Sequence, residues 1–395
     1  MAQTLVLTIS GDDQPGVTAG LTTTLAQLPI QISQLEQIVL QGHLVLGLVL
    51  APTEPEHIDA TIAAATSFAQ SRNMDISARL IADGERDLWR ERIAVTVLGN
   101  PLVPAAVAAI TTAIAAHGGN IDRIRQVARH PVTAVEFEVG GVPLLELRAE
   151  LATVARRNGI DIAVQVSGLD RRGVQLVVMD VDSTLIQEEV IELLADVAGV
   201  GDQVTDITQR AMNGELDFEA SLRERVALLA GLPATVLEDV QQRITLTPGA
   251  DTLVRTLHRL GFHVALVSGG FLEVVAPLAN RLGVERFRAN QLEVRNGQLT
   301  GSVSGPIVDR KAKAAALREF ADELHIPLSR TVAIGDGAND LDMLHAAALG
   351  IAFNAKPHVR DAADTSVTTP YLDSVLYVMG IPRHHVDAVA RHEAE

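Results

Sequence analysis

"VQLVVMDVDSTLIQEEVIELLA", Val174–Ala195, decides how this chain is read. An apolar run, Val174–Met179, stops abruptly at two aspartates one residue apart, Asp180 and Asp182. The run has the length of a buried strand, and a strand buried on both faces belongs in a parallel sheet. Two carboxylates at its end repel each other, so something in the rest of the chain must make them tolerable.

Two later segments repeat the pattern. "VSGG" (Val267–Gly270) follows an apolar strand at His263–Leu266, and "GDGAND" (Gly335–Asp340) follows one at Thr331–Ile334. After Gly173 strands alternate with helices, the α/β signature. In a parallel sheet the ends of adjacent strands converge on one crevice, and sites form there. Singly, each motif is weak: "GDGAND" alone reads as a turn with an N-cap. The three in order, each at a strand end, with a lysine before the third, mark a site. Asp180, Asp182, Asp336 and Asp340 would gather in it and raise one another's pKa. A hard divalent cation resolves that conflict, and oxygen ligands with phosphate suit Mg²⁺.

Composition bounds the alternatives. The chain has 395 residues, 47% hydrophobic and 21% charged, a globular balance large enough for two or three domains. Aromatics make up 3%, so the cores must be built from Ala, Val, Leu and Ile. A net charge of −17 argues against general nucleic-acid binding and against anionic membrane surfaces. It leaves room for a small anionic substrate at a locally basic site. With no cysteine, disulfides, zinc thiolates and cysteine nucleophiles are excluded. "MAQTLVLTIS" lacks a basic leader, and the apolar run "HLVLGLVLA" (His43–Ala51) is too short for a membrane span, so a cytoplasmic protein is expected. Of the 32 basic residues only Lys311, Lys313 and Lys356 are lysines. A site that needs a compact ammonium would resist such a bias toward arginine.

The first 168 residues read as a duplication. "LVLTISG" (Leu5–Gly11) matches "IAVTVLG" (Ile93–Gly99), and "LTTTLA" (Leu21–Ala26) matches "ITTAIA" (Ile110–Ala115). Each copy gives the order βαββαβ, the ferredoxin-like plan. Residues 1–82 and 92–168 are the expected domains, with a charged bridge between them. "SGLDRRG" (Ser167–Gly173) reads as a polar linker to a third domain over 174–395. The two copies resemble ACT domains, through the strand order and "GDDQPGV" (Gly11–Val17) before the first helix. That resemblance implies an amino-acid effector, serine being the candidate, cradled near Asp13, Gly16 and Val17. It also implies a homodimer paired through ACT sheets. The second copy reads "GNPLVP" there and departs from the pattern.

The three phosphatase-type motifs, together with "NGELDFEASLRERVALL" (Asn213–Leu229), resemble the haloacid dehalogenase superfamily and, within it, the phosphoserine phosphatase family. The fold implied is α/β: a Rossmannoid parallel sheet with a helical cap at about 186–246, preceded by two ACT domains. The resemblance implies a hydrolase acting on O-phospho-L-serine in L-serine biosynthesis. Asp180 would be the nucleophile and Asp182 the general acid and base. Mg²⁺ would be held by Asp180, the Asp182 carbonyl and Asp336, with Asp340 orienting the site from behind. Ser268, Gly269, Lys313 and Asn339 would hold the phosphate or substrate; spacing to "GDG" selects Lys313 over Lys311. In the cap, Glu189 would take the substrate ammonium, Arg225 its carboxylate, and Met212 and Phe218 the apolar wall. Two rival readings are a phosphatase for another small phosphoester and an amino-acid sensor with an inactive phosphatase domain. Lys356, in "NAKP", is a further candidate partner for the aspartates.

Overall fold

The computed structural model describes residues 3–52, 56–82, 92–168, 171, 173, 175–212 and 215–392. Contacts divide the chain into two units, Met1–Trp89 and Arg90–Glu395.

The first unit runs β1 (Gln3–Asp12), α1 (Val17–Leu25), β2 (Ile30–Leu40), β3 (His43–Pro52), α2 (His57–Ser71) and β4 (Asp75–Ala82). Its antiparallel sheet has the order β2-β3-β1-β4. Period-two alternation sends Leu5, Leu7 and Ile9 of β1 and Leu44, Leu46, Leu48 and Leu50 of β3 into one core. Val17, Leu21 and Leu25 of α1 meet them there. Gly20 lets α1 and α2 approach, since a Cβ at that position would lie 2.6 Å from the Phe68 ring.

The second unit begins with β5 (Arg92–Gly99), α3 (Pro104–Ala116), β6 (Asn120–Ala128), β7 (Thr133–Gly140), α4 (Leu144–Asn158) and β8 (Asp161–Ser167), ordered β6-β7-β5-β8. Both N-terminal sheets are ferredoxin-like. There follow β9 (Leu176–Met179), α5 (Val190–Ala198), α6 (Gly201–Met212), α7 (Phe218–Ala227), α8 (Val236–Arg243), α9 (Ala250–Arg259), β10 (His263–Phe271), α10 (Leu272–Leu282), β11 (Arg286–Arg295), β12 (Gln298–Ser304) and α11 (Arg310–Glu323). The chain then forms β13 (Thr331–Gly335), α12 (Leu341–Ala346), β14 (Leu349–Phe353), α13 (Pro357–Ala362), β15 (Thr365–Val367), α14 (Ser374–Val378) and α15 (Arg383–His392).

A seven-stranded sheet, β12-β11-β10-β9-β13-β14-β15, is the large sheet of the second unit; all its paired neighbours are parallel except β11 and β12. Central β9 is buried along its whole length. Helices α5–α8 form an insertion whose entry and exit are stitched together. Ile186 bridges Leu246, the Gln187 N–H donates to the Thr245 carbonyl at 3.0 Å, and that of Thr247 to the Leu185 carbonyl at 3.0 Å.

Two features depart from the sequence expectation. Strand β10 does not stop before "VSGG" but continues to Phe271, with a register shift after Val267 that bends the motif out of the ladder. The stretch read as a polar linker also holds a buried side chain. Arg171 is paired with Glu136 at 2.7 Å, and Arg125 meets the same carboxylate at 2.7 Å. The second ferredoxin-like sheet is docked on the large one: Asp161, 3% exposed, accepts the Thr368 N–H at 2.8 Å, and the Thr365 hydroxyl donates to the Ile162 carbonyl at 2.8 Å.

Candidate active site

Strands β9, β10 and β13 lie side by side, so their carboxyl ends bring "DVDST", "SGG" and "GDGAND" to one crevice. Asp180, 3% exposed, leaves the end of β9 and accepts the Val181 N–H at 2.8 Å. Its Oδ1 lies 2.7 Å from Lys313 Nζ, and the same ammonium donates to Asp340 Oδ1 at 2.7 Å. Lys313 is fully buried on the first turn of α11, whose N-cap is the Asp309 carboxylate accepting from the Ala312 N–H. Lys311, two residues earlier, faces outward beside Arg318, Asp342 and His345.

Electrostatics follow from burial. Desolvation and the charge of Asp340 push Asp180 well above the usual carboxylate range, with Lys313 opposing. Burial works against the Lys313 charge, but Asp180 and Asp340 outweigh it and hold the ammonium above its ordinary range. Asp336, held by the Thr184 hydroxyl at 3.1 Å, is pushed up to about 6 by burial and then by Asp340.

The two aspartates of the opening motif face different partners. The Asp182 carboxylate accepts the Val190 N–H at 2.9 Å and the Ser268 hydroxyl at 2.9 Å. Burial raises it. Ser268 in turn accepts the Gly270 N–H at 2.7 Å. Gly270 has to be glycine, because a Cβ there would lie 2.5 Å from Asp182 Oδ2. Asn339 is half-buried in the turn after β13, its Oδ1 against Gly337.

Above the crevice, Ser183 takes a positive φ of 55° and its hydroxyl donates to Glu189 Oε1 at 2.7 Å. Burial, then the charge of Asp182, raises Glu189 to about 7. Arg225 is lowered by burial and opposed by Glu189, so the two side chains share one field. The Phe218 ring covers Gly269, with Cζ 3.0 Å from where a Cβ would stand. Met212 ends α6, and its side chain is outside the described residues. In the first unit Gly16 opens α1 at φ 85°, Val17 is buried, and Asp13 is exposed with its N–H on the Gly42 carbonyl. Lys356 is exposed at the start of α13, away from any ion pair with the aspartates among the described residues.

The comparisons with known proteins agree with this geometry. A haloacid dehalogenase-like hydrolase model matches residues 177–345, and ACT domain models match 3–78 and 93–165. Phosphoserine phosphatase from Streptomyces coelicolor is 53% identical over 388 residues, covering 98% of this chain and 94% of that protein. The chain belongs to the phosphoserine phosphatase family. In that family, the unliganded crystal structure of a probable phosphoserine phosphatase from Vibrio cholerae superposes with a TM-score of 0.58 at 34% identity. It covers 76% of this chain and 88% of that one. A phospho-aspartyl intermediate analogue of phosphoserine phosphatase gives a TM-score of 0.50 at 43% identity, over 52% of this chain and 98% of that one.

The site also fits a metal of the kind that haloacid dehalogenase-like phosphatases use. Asp180, Asp336 and Asp340 each present a carboxylate oxygen within 4.8 Å of the others. This all-oxygen, strongly anionic set suits a hard divalent ion. Asp340 already has both oxygens engaged, one by Lys313 and one by the Gly337 N–H at 3.0 Å.

Three supporting residues went unread in the sequence. Thr247 donates to the Thr184 carbonyl at 2.7 Å, and Thr184 holds Asp336. The fully buried Asn290 donates to the Gly269 carbonyl at 2.8 Å and accepts the Val308 N–H at 2.8 Å. Only Thr184 carried a signal, as part of "DVDST".

Proposed function

We propose that this protein hydrolyses O-phospho-L-serine to L-serine and phosphate, as the last step of L-serine biosynthesis in the cytoplasm. In this reading residues 1–82 and 92–168 are ACT domains, 174–395 the phosphatase and 186–246 its cap. The observation that carries the chemistry is the division of labour between Asp180 and Asp182: one lies on Lys313, the other on Ser268.

The Asp180 carboxylate attacks phosphorus, and the bond to the seryl oxygen breaks as an aspartyl phosphate forms. Asp182, its proton affinity raised by burial, gives its proton to the leaving oxygen. It then takes one from the water that attacks phosphorus, and the bond to Asp180 breaks. Lys313, Ser268, the Gly269 N–H and Asn339 bind the phosphoryl oxygens. Mg²⁺ held by Asp180, Asp336 and the Asp182 carbonyl would supply charge neutralisation at phosphorus, with Asp340 orienting Lys313. The cap excludes water. Glu189 takes the substrate ammonium and Arg225 its carboxylate, against Phe218 and Met212.

Phosphate release from phosphoserine, phosphothreonine and sugar phosphates, with Mg²⁺ and with chelator, tests this. Rapid release from phosphoserine alone, lost in chelator, is the expected outcome. A sugar phosphate turned over as well as phosphoserine would overturn the substrate, and no release from any would leave an inactive sensor. Serine is the proposed effector at Asp13, Gly16 and Val17, and the exposed apolar edge strand β2 (Ile32, Leu35, Ile38, Leu40) supports a homodimer paired through that sheet. Serine inhibition is therefore expected to vanish, with turnover kept, when residues 1–89 are removed; its survival would sink the effector site.

The pH dependence has a definite sign. Ammonium binding needs ionised Glu189, and its pKa of about 7 leaves it mostly neutral below that pH. For phosphoserine kcat/KM should rise between about pH 6 and pH 8. That limb should be missing in Glu189→Gln, and its persistence there would assign it to another group.

A further inference from the structure

Helix α7 carries both Phe218 and Arg225, and glycines let it lie close to the catalytic sheet at both ends. Phe218, at its start, covers Gly269. Its other end meets Gly301 of β12, where a Cβ would lie 2.9 Å from Ala230 Cβ and 3.1 Å from the Ala227 carbonyl oxygen. Backbone bonds then fasten the segment after α7 to the β11–β12 hairpin. The Gly231 N–H donates to the Leu299 carbonyl at 2.9 Å, the Leu299 N–H to the Leu232 carbonyl at 2.8 Å, and the Ala234 N–H to the Gly297 carbonyl at 2.8 Å. Leu229 and Leu299 are buried beneath this junction. Arg225 lies two residues before Ala227 on the same short helix. Gly301 is on the edge strand, three strands from β9, and takes no part in the chemistry.

We infer that Gly301 is a positioning residue: the β11–β12 hairpin sets the height of α7 over the crevice and so places the Arg225 guanidinium on the substrate carboxylate. The inference rests on the carboxylate-binding role proposed for Arg225. Carbon atoms pack at roughly 3.5–4.0 Å, so a methyl at Gly301 must lift the helix by about 1 Å. A forked, charge-assisted pair depends on geometry at that scale. Ser268, Lys313 and Asp180 stand on the sheet and helix below and are not displaced.

The test compares kcat and KM for O-phosphoserine with those for O-phosphoethanolamine, which keeps the ammonium and phosphate but has no carboxylate. Gly301→Ala should raise KM for phosphoserine about tenfold, near the low end for a charged hydrogen bond, and leave phosphoethanolamine constants within about twofold. Ala230→Val crowds the same contact from the helix side, without touching a positive-φ residue, and should do the same. Ala230→Gly placed in the Gly301→Ala protein should restore most of the KM. Gly301 has φ +82°, so strain needs its own control. Gly297, at φ +76° in the same hairpin with nothing within 4 Å of its Cβ position, provides it, and Gly297→Ala should behave as wild type. The inference is overturned if Gly297→Ala raises KM as much as Gly301→Ala. It is also overturned if neither Gly301→Ala nor Ala230→Val changes the preference for phosphoserine while Arg225→Ala abolishes it. If Arg225→Ala leaves that preference intact, the carboxylate role of Arg225 fails and the inference falls with it.

Discussion

Asp180→Asn should abolish turnover and leave the fold intact. The amide keeps the shape of the carboxylate and can still accept the Val181 N–H. It cannot attack phosphorus, and loss of a covalent nucleophile costs about 10⁴-fold or more in kcat. Stability should change little, because two effects oppose. The variant loses one of the two carboxylates on Lys313, while Asp340 keeps the other contact at 2.7 Å. It also loses the repulsion that Asp340, Asp336 and Asp182 exert on a buried Asp180 charge. Acid quenching after mixing with radiolabelled phosphoserine gives the direct measurement. Label should stay on the wild-type protein and be absent from the variant. Label retained on folded Asp180→Asn would move the nucleophile elsewhere.

Lys313→Met should damage both activity and stability. The side chain is fully buried, and its ammonium is the cation that both Asp180 and Asp340 touch. Removing one partner from a buried ionic cluster typically costs about 3–5 kcal/mol, since the remaining charges stay desolvated. Turnover should fall by about 10³-fold, the scale seen when a preorganised charge contact to the reacting group is removed. The stability loss should depend on pH. Asp180 has a raised pKa in the folded protein and an ordinary one in the unfolded chain, so the folded state holds more protons between the two values. Stability therefore falls as pH rises through that interval, and losing Lys313 widens it. Urea titration in chelator should show a smaller deficit at acid than at alkaline pH. A deficit equal at both would mean that Lys313 does not hold the carboxylates' charge.

Much of this site was legible because its signals are local. A strand announces itself by an unbroken apolar run, and a polar cluster at its end needs no distant contact to be noticed. Spacing to "GDG" in the family pattern picked Lys313 over Lys311, and the helix turns the two to different sides. What stayed hidden depends on distance along the chain. Thr247 acts on Thr184, 63 positions earlier, and Asn290 on Gly269, 21 positions earlier; neither has a distinctive neighbourhood. The continuation of β10 through "SGG" was hidden because glycine lowers strand propensity while a bulge tolerates it. The burial of Arg171 was hidden because "SGLDRRG" has a linker's composition, and the groups that take its charge, Glu136 and the Val378 carbonyl, lie 35 and 207 residues away. Glu189 and Arg225 stood out through family resemblance alone, since charges on helices are usually solvated.

The docking of β8 on β15 has a consequence for how the protein is made. The Thr365–Ile162 hydrogen bond spans 203 residues, and the Leu372 N–H closes on the Pro248 carbonyl at the foot of the cap. Contacts of such long range form late, after the loop between them has been closed. During synthesis the first unit, a compact body with a core of its own, can fold once its residues have emerged. The second ferredoxin-like sheet has to wait, one face uncovered, until Thr365 and Thr368 have left the ribosome. Residues 365–378 therefore complete the docked framework, and a nascent chain stopped before them would carry every motif of the site without it.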